Sequence, residues 1–228
     1  MKIIIPMLAS GTKEEKLKDI WGNWRWICEE KVGGSRYVLQ FDSDGNPCLT
    51  SRCISVKTNK PVEKTENLLG YVCTTRLDLA GTILDGEIVG GDSFPETVKL
   101  MGSSPKKAKE LLKNGYRVRY IVYDILEHNG VDVRDRPLHF RKKILKELIK
   151  GLNNPYIELV KEVDNHIQSF NEIVAEGGEG VILKYKNSTY SEGCRSKDWV
   201  KVKKVITEEG IIMGMKEGTG KYKGNLGR

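Results

Sequence analysis

Residues 28–36 read CEEKVGGSR, and Lys31 is the one group there that could act as a nucleophile by amine attack. Two anions, Glu29 and Glu30, precede it; Gly33, Gly34 and then Arg36 follow. A lysine amine attacks only when neutral, and at an ordinary pKa near 10.4 about one in 2500 is neutral at pH 7. Covalent chemistry at Lys31 therefore requires neighbouring cations or a metal that disfavour its protonated form. The glycines would let a nucleotide phosphate come close to the backbone. Taken alone, the stretch reads more simply as a solvated turn.

Other residues offer matching chemistry at a distance in sequence. In DWVKVKK, residues 198–204, Val200 and Val202 alternate with Lys201 and Lys203. On a strand the two lysines share one face, roughly 7 Å apart, a span that suits two phosphates. The same pattern also describes a solvated edge strand. LDGEIV and EGVILK each place one glutamate, Glu87 or Glu179, beside an apolar run. Either acid could hold a hard cation such as Mg²⁺ or a ribose hydroxyl, or simply meet solvent at a strand end. Tyr123, within IVYDIL, is a core residue by pattern, and its ring would also stack on adenine. EGTGKY is not a phosphate loop, because that motif needs glycine at Met215 and a hydroxyl residue at Tyr222. His128, His139 and His166 show no metal-ligand spacing.

The elements that must position these groups follow from periodicity. Thr12 and Glu15 form a capping box before Leu17, Ile20, Trp21 and Trp24, which predicts an early helix. RYVLQF and the residues after Asn46 flank a DSDGN turn and predict a β-hairpin. TILDGEIVG, YRVRYIVYDIL, IELV, GVILKYK and DWVKVKKV read as strands. SSPKKAKELLKNG reads as a helix, with Ser104 as its cap and Pro105 at its first position. HFRKKILKELIKG predicts a second helix with Ile144, Leu145, Leu148 and Ile149 on one face and Gly151 as its stop. HIQSFNEIVAEGG predicts a third, with Ile167, Phe170 and Val174 inward. GIIMGMKEGTGKYKGNLGR opens a further β segment. The irregular order points to an α+β fold with mostly antiparallel sheets flanked by helices, not a doubly wound one.

Composition narrows the partners. The 228 residues carry a net charge of +7, which favours nucleic acid or phosphate ligands, or serves solubility alone. Five scattered cysteines without a C-x-x-C pair indicate reduced thiols and a cytoplasmic setting. The apolar start is short and broken by Pro6, unlike a signal peptide, and no segment is long enough to cross a bilayer.

Taken in order, K-x-G-G-x-R, TSR, LDGEIV, IVYDIL, EGVILK and DWVKVKK resemble the nucleotidyltransferase motif series of ATP-dependent DNA ligases. RPLHFRKKIL looks like the RPL-x-x-R segment of the same enzymes, and the likeness runs from Pro6 to the last residue. RNA ligases and mRNA capping enzymes share most of the series and form the alternative, as does a catalytically impaired nucleotide- or DNA-binding fragment. The resemblance implies a nucleotidyltransferase (ATP-grasp-like) domain over residues 1–204 and the first strands of a truncated OB fold over 205–228. It implies ATP and Mg²⁺ as cofactors and nicked duplex DNA as partner. It also implies a monomer without a membrane, of cellular or phage origin, serving strand sealing in repair, replication and recombination.

The matching positions take roles by the same likeness. Lys31 is similar to the lysine that becomes adenylylated, and Glu29 to the residue that reads the adenine amino group. Arg36 and Arg52 match arginines on the ribose and phosphate side, Glu87 the acid near ribose and metal, and Tyr123 the ring that stacks on adenine. Glu179 resembles the metal-associated acid; Arg195, Lys201 and Lys203 resemble the cations that hold the ATP phosphates. Lys201, Lys203, Arg36 and Arg52 would then also favour the neutral amine of Lys31. One residue departs from the pattern: the family has aspartate in K-x-D-G where this chain has Gly33, so a carboxylate beside the nucleophile is missing.

Overall fold

Alternation of apolar and polar side chains along each strand sorts the molecule into layers. The computed structural model describes residues 2–11, 17–204, 213–219 and 223–225. One sheet runs in the order β1 (Leu8–Gly11), β12 (Arg195–Lys203), β11 (Gly180–Tyr185), β2 (Trp26–Glu30) and β10 (Glu162–Val163). The other runs β5 (Pro61–Glu63), β4 (Pro47–Ile54), β3 (Ser35–Phe41), β6 (Ile83–Gly90), β7 (Val118–His128) and β8 (Val131–Asp132), with β9 (Ile157–Leu159) beside β7. Pairing among these strands is antiparallel except for β1 with β12 and β7 with β9. The expected α+β architecture with mostly antiparallel sheets is the one observed.

The seven-stranded sheet turns Tyr37, Leu39, Leu84, Ile88, Tyr120 and Val122 toward three helices: α1 (Phe94–Gly102), α2 (Pro105–Lys113) and α3 (Leu138–Gly151). Leu100, Ala108, Leu112 and Leu145 close that core from the helix side. Its other face contributes Val38, Ile83 and Leu126, which meet Trp199 of β12 together with Met7 and Tyr190. Beyond β12, the outer face of the five-stranded sheet buries Cys28, Val181, Leu183, Val200 and Val202 under α4 (His166–Ala175) and the turn at Leu17–Trp21. Full burial of each such side chain is worth roughly 1.5–3 kcal/mol, so the register of both sheets is strongly fixed. Because successive side chains alternate, fixing the core residues fixes their neighbours too. Glu29, Lys31, Lys184, Lys201 and Lys203 from one sheet, and Arg36, Glu87 and Tyr123 from the other, are left lining the space between.

Most predicted elements are present. The hairpin pairs β3 with β4 around Asp42, which accepts from the backbone of Asp44 and Asn46. Ser104 caps α2, accepting from the Lys107 amide at 3.4 Å. Three details differ. Leu17, Ile20 and Trp21 do pack against the core, but turns occupy residues 18–22 in place of a continued helix, and Trp24 is 74% exposed. The α4 helix also buries a different face from the expected one. Ile167 is 52% exposed, while His166 and Ile173 are buried and Phe170 and Val174 half-buried. The cause is the His166 ring, which packs near Trp21 and accepts from the Gly22 amide at 3.3 Å. Finally, Gly151 is the last residue of α3, and Leu152 caps it.

Thr12 and Glu15, and part of the β segment expected after residue 204, lie outside the described residues. The described parts of that segment, 213–219 and 223–225, carry no named strand. The short strands β1, β5, β8 and β10 and the helix α1 had no clear signal in the sequence. Among the described residues, no helix is long and apolar enough to cross a membrane.

Candidate active site

Lys31 directly follows β2, where its amide donates to the Gly180 carbonyl at 2.9 Å. Strand alternation carries Glu29 and Lys31 to the same side as Lys201 and Lys203 of β12, facing the gap between the sheets. The two glycines after Lys31 do different things. A Cβ on Gly34 would stand 2.4 Å from the Ile88 carbonyl oxygen and 2.8 Å from Glu87 Cγ, so the close approach of β6 excludes any side chain there. A Cβ on Gly33 would meet only the Glu179 carboxylate, with Oε1 at 3.1 Å. That carboxylate pairs with the Lys31 ammonium, and Lys203 Nζ lies 3.8 Å from it. Gly34 thus admits a strand while also lining the cleft, and Gly33 borders a carboxylate.

A cleft of about 530 Å³ opens between the sheets. Lys31, Arg52, Arg195, Lys201 and Lys203 all line it. Burial, followed by the fields of Lys203, Arg195, Lys31 and Arg52, holds Lys201 below its ordinary pKa. Mutual repulsion of this kind means the cations converge, as a polyanion-binding site requires. Arg195 is steadied by donating to the Ala9 carbonyl at 2.7 Å.

A buried charge cluster closes one part of the cleft. Glu29 pairs with Lys184 at 2.6 Å and with Lys142, and all three side chains are almost fully buried. Lys184 Nζ also lies 4.6 Å from the Tyr123 ring centre and 3.9 Å from that of Trp199. Burial lowers the Lys184 pKa to about 8 despite the opposing pull of Glu29. Side by side, Glu29 and Lys184 offer a hydrogen-bond acceptor and a donor in a dry setting, where such groups discriminate strongly.

On the facing wall, Arg36 forms a two-pronged pair with Asp85 at 3.0 and 2.5 Å, and Tyr190 donates to the same carboxylate at 2.7 Å. Its guanidinium sits 5.4 Å from the Tyr123 ring centre. Arg36 thus lines the cleft, but its charge is committed to Asp85 and is not a free phosphate cation. Burial raises the Glu87 pKa to about 7, against the lowering fields of Arg36 and Lys31. Glu87 and Glu179 flank adjacent glycines and supply hard oxygen donors. Among the described residues no cluster of three His, Cys, Asp or Glu forms a dedicated metal cage. Two carboxylates suit Mg²⁺, which keeps water and takes phosphate oxygens for its remaining positions.

All nine residues expected at the nucleotide line this cleft, and Glu179 borders it through Lys31. Sequence reasoning missed Lys184, Lys142, Asp85 and Trp199. Lys184 was within reach, since it shares a strand face with Ile182 and sits opposite Trp199 in the β11–β12 register. Lys142 lies in the buried stripe of α3 with Leu138, Arg141 and Leu145, and a charge in such a stripe demands a counterion.

Comparison with known proteins agrees with this geometry. A probable DNA ligase of Rhodococcus jostii is 30% identical over 234 residues, which is 97% of this chain and 42% of that protein. The DNA ligase of Saccharolobus solfataricus is 26% identical over 98% of this chain and 39% of its own length. The chain therefore spans less than half the length of these curated relatives. Among solved structures, a mycobacterial DNA ligase D complexed with ATP and MES superposes with a TM-score of 0.66 at 25% identity, covering 88% of this chain and 60% of that one. The ATP-dependent DNA ligase of bacteriophage T7, in complex with ATP, shares the fold with a TM-score of 0.65 at 21% identity, over 97% of this chain and 76% of that one. These matches favour DNA ligases over the RNA-ligase and capping-enzyme alternative. Residues 6–203 match the model described as the ATP dependent DNA ligase domain, and this chain belongs to that family.

Proposed function

We propose that the chain is the adenylation domain of an ATP-dependent DNA ligase and that Lys31 is its nucleophile. The observation that carries this reading is the position of Lys31 in the cleft, among Arg52, Arg195, Lys201 and Lys203 and near the buried Glu29–Lys184 pair. Lys31 leaves its pairing with Glu179 and, as a neutral amine, attacks the α-phosphorus of ATP. A P–N bond forms as the amine gives up one proton to solvent, the bond from the α-phosphorus to the bridging oxygen breaks, and pyrophosphate departs. Lys201, Lys203, Arg52 and Arg195 stabilise the charge on the phosphates. Glu29 accepts from the adenine amino group and Lys184 donates to the adjacent ring nitrogen, while Tyr123 contributes its ring to the base site. Glu87 accepts from the ribose. Mg²⁺ bound by Glu87 and Glu179 would supply charge neutralisation at phosphate oxygens.

AMP then passes from Lys31 to the 5′-phosphate of a nick in duplex DNA, and attack by the nick's 3′-hydroxyl expels AMP and closes the strand. The net charge of +7 supports binding to the DNA backbone. We assign residues 1–204 to the adenylation domain and 205–228 to the beginning of an OB-type domain; the family match ending at residue 203 supports that boundary. Incubation with ATP and Mg²⁺ tests the first step. The expected result is an intact-mass gain of one AMP that survives denaturation and is discharged by nicked DNA. No gain, in protein shown to be free of prior AMP, rejects the assignment.

A further inference from the structure

We infer that Lys142 is a positioning residue for base selection, acting through Glu29; the inference rests on the ATP-dependent reading of the cleft. Three charged side chains are buried together: Glu29 is 1% exposed, Lys184 2% and Lys142 4%. Lys184 meets Glu29 Oε2 from β11, whereas Lys142 meets Oε1 from α3. Each carboxylate oxygen thus has its own cation, brought by a different element. Of these three residues, Glu29 and Lys184 line the cleft, and Lys142 approaches from behind.

The second lysine changes what Glu29 can do. With Lys184 alone the group would be a neutral pair. With Lys142, a cation grips each carboxylate oxygen, so the Glu29 carboxylate is oriented from two directions. An ionised carboxylate only accepts hydrogen bonds. At the corresponding edge adenine presents an amino donor and guanine a carbonyl acceptor. Holding the Glu29 carboxylate in one direction, as an acceptor, therefore favours the first base and repels the second. Lys142 is itself held rigidly, because Arg141 beside it forms a fully buried pair with Asp124 at 2.9 Å. Outward, Lys142 lies 4.0 Å from Glu162, which takes Lys146 at 2.9 Å. Alternating charges thus tie the selecting carboxylate to the surface of α3.

Self-adenylation with ATP and with GTP, read by intact mass, tests this in wild type, K142M, K142R, E29Q and E29Q/K142M. For K142M we expect half-saturating ATP to rise about tenfold and the preference for ATP over GTP to fall by a similar factor, with the saturating rate within about twofold. K142R should restore most of the preference, and K142M should add little to the loss already caused by E29Q. Unchanged saturation and preference in folded K142M, or losses that add in the double variant, would overturn the inference. If K142M does not melt cooperatively, K142Q is judged by the same criteria. Absence of any labelling in wild type would instead count against the adenylation reading itself.

Discussion

Two charged groups that face each other across the cleft are held in opposite ways. On the five-stranded side, Lys31 and Lys203 share one carboxylate, Glu179, and the Lys203 side chain remains 50% exposed. On the seven-stranded side, Arg36 and Asp85 satisfy each other, with the Asp85 side chain wholly buried. Surface pairs of the first kind contribute about 0–1 kcal/mol and are easily exchanged for a ligand. Breaking a buried pair of the second kind strands a charge and costs about 3–5 kcal/mol. The Lys31–Glu179–Lys203 group is thus available to a polyanion, and the Arg36–Asp85 pair is a scaffold that shapes the space.

This contrast can be tested from its largest consequence to its smallest. Lys31→Ala should abolish the covalent mass gain while leaving the denaturation midpoint close to wild type; surviving label would place the nucleophile elsewhere. Asp85→Ala should lower unfolding stability by about 3–5 kcal/mol in a denaturant titration, because Arg36 is left uncompensated. A normal midpoint there would erase the distinction between the two groups.

Lys184 gives a pH signature. Its pKa is lowered from 10.5 to about 8 in the folded chain, mainly by burial. The unfolded chain therefore binds more protons between these values, and stability should rise with pH across that window. At lower pH the full penalty, roughly 3 kcal/mol, is present. Lys184→Met should remove this rise when its stability curve is subtracted from that of wild type; identical slopes would contradict the burial argument. The adjacent glycines should separate next. Gly34→Ala should cost about 2 kcal/mol or more through collision with the β6 backbone, and Gly33→Ala about 0.5 kcal/mol or less, by chemical denaturation. Lys203→Ala should slow single-turnover adenylation about tenfold with little change in melting temperature.

Much of the fold was legible because strands with one buried face must alternate. Val200 and Val202 of β12, and the apolar face of α3, stand where periodicity put them. The buried face of α4 was not legible, because His166 competes with Ile167 for the inward position and its contact with Trp21 decides the matter. Arg36 was legible as a site residue but not as Asp85's partner, since the strand register that joins β3 to β6 is a long-range fact.

By itself, the sequence determined which groups could react and which strand face each would occupy, because side-chain parity is a local property of the chain. Only the tertiary structure decided which charges remain free. Whether a cation meets a carboxylate from another strand, as Arg36 meets Asp85, or a second lysine reaches Glu29 from a helix, depends on how separate elements are stacked. Burial sets the strength of those pairings, and burial exists only once both sheets have closed on the cleft.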